Sequence, residues 1–229
     1  IDAATDEQLQ LKALKNITLD GVVVDASGTP LNSFNGTVTL QIFDKEVQRT
    51  TLGNDGHEKM VFTTLGKQIF QGLSTVKDGK FKSTFVVPKD IDLAKDIDLA
   101  LGNARVTMIA FNEDKSESLG GHTDKLTIGG LNTSAPQDNN GPDIDVFLND
   151  RNFVDGDRVF DSPMLIIDLA DENGINTTGG IGHDITAVLD DNQTNPLVLN
   201  AFYSTTLDDF TKGTLSYPLN NLATGVHSL

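Results

Sequence analysis

Apolar and polar residues alternate along much of this chain with a period of two, the spacing that places one side-chain set on a core and the other in water. The cleanest run is Gly36 to Phe43, where Val38, Leu40 and Ile42 alternate with Thr37, Thr39 and Gln41. It predicts a half-buried strand. Ile17, Leu19 and Val22 to Val24 predict another, stopped by Asp25-Ala26-Ser27-Gly28. Val47 to Leu52 and Glu58 to Thr63 flank Gly53-Asn54-Asp55-Gly56, and Leu73 to Val76 and Lys80 to Val87 flank Asp78-Gly79. Both read as hairpins, because Asn, Asp and Gly tolerate the positive φ that tight turns use. Asn103 to Phe111 and Asp124 to Ile128 continue the pattern on either side of the charged loop Asn112 to Ser118. Asp6 to Lys15 fits a short helix or a strand equally well, and the repeat of Ile91 to Ala94 at Ile97 to Ala100 is too short a period for a solenoid.

Residues 132–142 concentrate Asn, Ser, Pro and Gly with almost nothing apolar, the composition of a linker. Beyond it, Asp143 to Leu148, Asn152 to Phe160 and Met164 to Leu169 predict three short strands separated by turn formers. His183 to Leu189 places Ile185, Ala187 and Leu189 on one face and predicts a further strand after the glycines Gly179, Gly180 and Gly182. Thr214 to Tyr217 predicts the next, ended by Pro218, and Val226 to Leu229 opens another. The expected fold is all-β: two tandem immunoglobulin-like antiparallel β-sandwich domains, residues 1–131 and 143–229, joined by 132–142. The second is expected to be incomplete at its C-terminus, because its last strand opens where the chain stops.

The 229 residues, 38% of them apolar, suffice for two ordinary cores. A formal charge of −16 leaves few cations for the counterion-releasing contacts that nucleic acid requires, so no nucleic-acid partner is expected. Direct membrane insertion is not expected either, since no apolar run approaches the length of a spanning helix. The first ten residues show neither a basic n-region nor an apolar h-region. The chain has no cysteine, which removes disulfides and thiol nucleophiles together.

Candidate chemistry is sparse. Asp150, Asp155, Asp157 and Asp161 lie in one acid-rich run and offer oxygen donors to calcium, but without EF-hand spacing; a polar hairpin with solvated acids explains them as well. His57, His122, His183 and His227 form no metal-binding pair in sequence. His183 beside Asp184 has the residue types of an acid–base pair, yet no nucleophile motif accompanies it, and a turn-capping role accounts for it. The Gly179–Gly182 stretch lacks the remainder of a phosphate loop and fits a bulge. Phe202, Tyr203, Phe210 and Tyr217 read as core filling, with an aromatic platform for sugar as the alternative. Asn16, Asn35 and Asn176 head glycosylation triplets of the kind chance supplies in an Asn- and Thr-rich chain. No catalytic, cofactor or metal residue is assigned from this inventory.

One order of rare elements stands out: GIGHDI, VLD, Leu199-Asn200 with Phe202-Tyr203, LDDFTKGTLSYPL, and L-x-x-G-x-H-x-L from Leu222 to Leu229. In the first half, FNGTVTLQIFDK, TLGNDG, IFQGLSTVKDGKFKSTFVVPKDI and IGG follow in sequence. Together they resemble the β-domains that follow the peptidase in the gingipain-like cysteine peptidase acting as sortase, or C-terminal signal peptidase, of type IX secretion. The resemblance covers no part of the peptidase, so no catalytic residue is carried over. It implies that a tract after Leu229 is absent, and a location at the outer membrane or cell surface of a Gram-negative bacterium. It also implies a non-enzymatic scaffold or docking role beside the parent peptidase domain, secretion components or cargo proteins. The alternative from another class is a free-standing adhesion or carbohydrate-binding module.

Overall fold

A computed structural model describes residues 10–54, 56–89, 91, 102–179 and 184–229. Asp55, nearly all of the 91–100 repeat, Gly180, Gly182 and His183 lie outside the described residues, as do residues 1–9. The described residues hold strands, turns and a single three-residue 3-10 turn, so the protein is all-β. The chain divides into two units, residues 1–135 and 136–229.

In the first unit the strands are β1 (Gln10–Ala13), β2 (Asn16–Val22), β3 (Gly36–Phe43), β4 (Val47–Thr50), β5 (Val61–Thr64), β6 (Gln68–Lys77), β7 (Lys80–Val86), β8 (Gly102–Asn112) and β9 (Ser118–Leu131). Seven of them form one sheet in the order β1-β9-β8-β3-β6-β7-β2, while β4 and β5 pair as a separate ribbon. β1 and β2 stand at opposite ends of that order, yet only Leu14 and Lys15 separate them. A flat sheet would hold its outer strands about 29 Å apart, and this connection spans about 10 Å. The sheet therefore folds over on itself. The bend is the β6–β7 hairpin, in which only Val76↔Phe81 and Lys77↔Lys80 pair, around a turn with Asp78 at φ 50 and Gly79 at φ 71. Hydrogen bonds from Leu14 N–H to Val87 O (2.8 Å) and from Val87 N–H to Lys15 O (3.0 Å) tie the seam.

Inside the fold Leu11, Ile17, Val38, Leu40, Ile42, Ile69, Phe85 and Ile128 are buried. The rings of Phe70 and Phe85 stack with centroids 4.6 Å apart. In β3 the three residues read as inward from the sequence, Val38, Leu40 and Ile42, are all buried. One pairing departs from the antiparallel expectation: β1 runs parallel to β9. The Leu14 turn, at φ 62, lets one stretch of chain bond β9 first and β7 next, and the two partners impose opposite relative directions. The same pairing resolves the helix-or-strand ambiguity over Asp6 to Lys15 in favour of a strand for its described part.

In the second unit β10 (Asp143–Leu148), β11 (Met164–Ala170), β14 (Tyr203–Thr206) and β15 (Asp209–Pro218) form an antiparallel sheet in the order β10-β11-β15-β14. Leu165, Ile167, Leu169, Tyr203 and Leu215 bury one face of it against Ala187, Leu199 and Leu219. Among the described residues the covering layer is irregular and contains only the two-residue strands β12 (Thr186–Ala187) and β13 (Leu197–Val198).

Three expected strands are corrected here. Asn152 to Phe160 is a chain of turns: Asn152 N–H donates to Asp150 Oδ1, Val154 N–H to Asp157 Oδ2, and Asp157 N–H to Val154 O. Side-chain acceptors satisfy the backbone locally, so no ladder forms. The strand expected over His183 to Leu189 shrinks to Thr186–Ala187, because Asn200 Oδ1 takes the Ile185 N–H and Asp190 and Asp191 turn to φ 53 and 55. Val226 to Leu229 forms no strand. Its backbone is held instead by Asp190, as described below.

Candidate functional site

Acidic and amide residues dominate the turns of this chain for a local reason. Asp25 accepts from the backbone of Ser27 and Thr29, Asp114 from Ser116, Asp171 from Asn173, and Asp209 from Thr211. These are Asx turns, in which a carboxylate replaces a backbone carbonyl two residues before the donor. The hydroxyl of Ser27 and the backbone donors beside it hold Asp25 below the usual carboxylate range; Ser116 does the same for Asp114 and Thr211 for Asp209. Much of the −16 charge thus sits in turns. Among the described residues, no three His, Asp or Glu side chains converge as a metal shell. The four acids weighed as calcium donors are dispersed: Asp150 and Asp157 cap turns of their own loop, and Asp161 accepts from the Ser162 hydroxyl at 3.1 Å.

The residues that single out the second half of the sequence bond to one another. Leu199 N–H donates to Ile185 O at 2.8 Å, while Asn200 Oδ1 accepts from Ile185 N–H at 3.0 Å and its amide donates to Thr177 O at 3.4 Å. Gly179, at φ 62, passes beside Asp184 and Asn200. At the other end Asp190 and His227 meet. His227 Nδ1 lies 2.8 Å from Asp190 Oδ2 and Nε2 lies 2.7 Å from Ala223 O. Asp190 also exchanges backbone bonds with Ser228, N–H to Ser228 O at 2.9 Å and Oδ1 from Ser228 N–H at 3.0 Å.

Both partners of the His227 ring are acceptors, so both ring nitrogens must donate and the ring in this arrangement is an imidazolium. The Ala223 carbonyl and the Asp190 carboxylate raise the pKa of His227 above its ordinary 6.5, and the His227 ring lowers that of Asp190. A histidine–aspartate pair is two thirds of a hydrolytic triad in composition. Here no ring nitrogen is left to take a proton from a nucleophile, so the pair fastens the 219–229 segment to the turn at Asp190. His183, whose neighbour Asp184 gives it the residue types of an acid–base pair, lies outside the described residues. The two clamp partners lie 37 positions apart in sequence, and no spacing rule joins them. His57 and His122 stand exposed in a turn and on β9.

The aromatic residues do not make a flat platform. Tyr203 is buried over Gly213, and burial raises the pKa of its hydroxyl. Phe210 covers Gly174, and Phe202 meets Tyr217 edge-on, with centroids 4.9 Å apart and planes at 86°.

Two surface features remain. Arg151 clasps Asp168 with both nitrogens, Nε to Oδ2 at 2.6 Å and Nη2 to Oδ1 at 2.8 Å, and the Thr214 hydroxyl donates to Oδ1 at 2.6 Å. The guanidinium, with the Thr214 hydroxyl, holds Asp168 below the usual carboxylate range. This cluster lines an open cleft of about 310 Å³ with Asp143, Asp145 and Lys212. The β4–β5 ribbon, for its part, exposes Val61 and Phe62, and the residues flanking its strands expose Leu52, Met60 and Leu65. No helix among the described residues is long and apolar enough to cross a membrane.

Fold and site together define an all-β protein whose most distinctive polar residues serve structure. No family model matches the chain, and no curated protein matches it. Among solved structures it is similar to dimeric latent PorU from Porphyromonas gingivalis, at 31% identity and a TM-score of 0.52 over 96% of this chain. The chain spans 20% of the length of the PorU chain it matches.

Proposed function

We propose that this chain is a non-catalytic accessory region of a gingipain-like, cell-surface cysteine peptidase of type IX secretion, acting as scaffold or docking module for secretion and surface attachment. In this reading the two units are immunoglobulin-like β-sandwiches, residues 1–131 and 143–229 with 132–142 as linker, and the location is the cell envelope outside the cytoplasm. The observation that carries it is the 31% identity to PorU along 96% of the chain. The motif order read in the sequence supports the same setting. The absence of any cysteine removes thiol chemistry from this chain, and the His227–Asp190 pair has no nitrogen free for base catalysis. A fold of this kind hosts many functions, so binding must be tested directly.

The test is calorimetric titration of the purified chain with isolated C-terminal sorting domains of type IX cargo, beside a peptide-hydrolysis assay on the same preparation. Saturable binding with no turnover is the expected result. Turnover that survives repurification overturns the non-catalytic reading. Absence of binding to any sorting domain removes docking and leaves only a spacer.

A further inference from the structure

The strand β10 is the edge of its sheet, and its two faces differ in a way the rest of the sheet does not. Asn149 N–H bonds Met164 O at 2.7 Å, and Asp171 N–H bonds Thr211 O at 2.8 Å. Antiparallel bonding alternates from residue to residue. Asp143, Asp145 and Phe147 therefore direct their backbone groups to β11, while Ile144, Val146 and Leu148 direct theirs away from the sheet. The Leu148 carbonyl is already taken by Asp150 N–H at 2.9 Å. Ile144 and Val146 thus present open N–H and C=O groups among the described residues.

The same two residues carry exposed aliphatic side chains. They point to the face on which Leu165, Ile167 and Leu169 are buried, yet Ile144 is 59% exposed and Val146 44%. At the opposite edge the inward residues Tyr203 and Thr205 of β14 are buried. Among the described residues the covering layer reaches β14, β15, β11 and the Leu148 end of β10, and leaves Ile144 and Val146 exposed.

On the other face the edge is acidic. Asp143 and Asp145 are exposed, and no cation bonds either of them among the described residues; Arg151 is engaged by Asp168. Asp171 stands close enough to Asp138, Glu172 and Asp143 that, after burial, their charges hold its carboxyl above the usual range. Self-pairing of two copies is opposed by these charges. Antiparallel registers centred on Ile144 or Asp145 set aspartate against aspartate, which is destabilising.

We propose that the β10 edge is a strand-addition site for an extended segment of a partner protein in which aliphatic and basic residues alternate. Open backbone groups at Ile144 and Val146 supply the ladder, the uncovered apolar strip receives the aliphatic side chains, and Asp143 and Asp145 face the basic ones. It rests on the docking reading above for its biological setting, and on geometry for its location.

The test uses the full chain and a labelled synthetic peptide of alternating valine and lysine, with a control of equal composition in which the valines are contiguous and the lysines are contiguous. Fluorescence anisotropy is expected to give saturable binding for the alternating peptide and affinity lower by about tenfold or more for the control. Val146→Pro removes an N–H that bonds nothing on β11, so it is expected to leave the melting temperature near that of the parent and to abolish the difference between the peptides. Should that variant misfold, Ile144→Lys with Val146→Lys, both at exposed side chains, serves in its place. Equal binding of both peptides, or unchanged discrimination in either folded variant, overturns the proposal. A concentration-dependent dimer of the parent that Val146→Pro dissociates also overturns it, by assigning the edge to a second copy. Cargo binding that persists in these variants overturns the edge site and leaves the docking reading standing; peptide binding at the edge without cargo binding does the reverse.

Discussion

At the residue scale the clamp between His227 and Asp190 sets a pH window. His227 is raised above 6.5, so its stabilising bonds are fully present below that pH and are lost as pH rises through the raised value. Asp190 is lowered from 3.8, so its contribution is present above that pH and fades as pH falls through the lowered value. The ring-proton resonances of His227 in an NMR titration should show a midpoint above 6.5, and Asp190→Asn should move it down. A midpoint at or below the ordinary value would contradict the imidazolium assignment. Glycine gives a second residue-scale prediction. A Cβ at Gly213 would sit 2.4 Å from the Tyr203 ring, and one at Gly21 would sit 2.0 Å from Phe81. Rings packed onto bare backbone leave no space, so Gly213→Ala or Gly21→Ala should each cost about 1–3 kcal/mol in urea unfolding. Sequence reading offered no sign of these contacts, because a glycine in a strand looks the same whether it admits a bulge or an aromatic ring.

At the scale of elements, legibility followed burial. The span of β3 was readable to the residue because one of its faces is buried along its whole length. In β9 only the end nearest Ile128 carries buried residues; the Ser118 to Lys125 end is exposed or half-exposed on both faces and shows no alternation, so the sequence predicts a strand of five residues where the strand has fourteen. The stretch from Asn152 to Phe160 misled in the opposite sense. Its scattered apolar residues Val154 and Phe160 are exposed, and aspartate side chains bond its backbone into turns. The clamp was hidden for a related reason: Asp190 and His227 meet only because β12, β13 and the final segment pack on the same sheet. Since the acids of that loop cap separate turns, millimolar calcium should leave the melting temperature unchanged, and a rise of several degrees would show that they gather around the ion. The cluster on β11 predicts the reverse for protons. Asp168 is lowered by Arg151, so its contribution is present above 3.8 and is lost as pH falls through the lowered value. Asp168→Ala, which frees Arg151 and Thr214 from their shared partner, should cost about 1 kcal/mol near neutral pH. That difference should disappear in acid.

At the scale of the whole molecule, the folded-over sheet of the first unit and the half-covered sheet of the second present edges, strips and turns as surfaces. The buried side chains that hold the second unit together converge on Leu215, Leu165 and Tyr203, and Leu215→Ala should cost about 2–5 kcal/mol with loss of the whole sheet. Leu215→Ala should therefore also abolish any binding that depends on that sheet. The similarity to PorU along 96% of the chain is the observation from which the proposed docking role is drawn, and the chain itself holds no thiol and a histidine–aspartate pair with both ring nitrogens occupied. The decisive measurement is calorimetric titration of the purified chain with a C-terminal sorting domain from type IX cargo. A saturable heat of association with no cleavage of the added domain is the predicted result; proteolysis of that domain by the cysteine-free chain contradicts the non-catalytic reading, and no heat with any such domain contradicts docking.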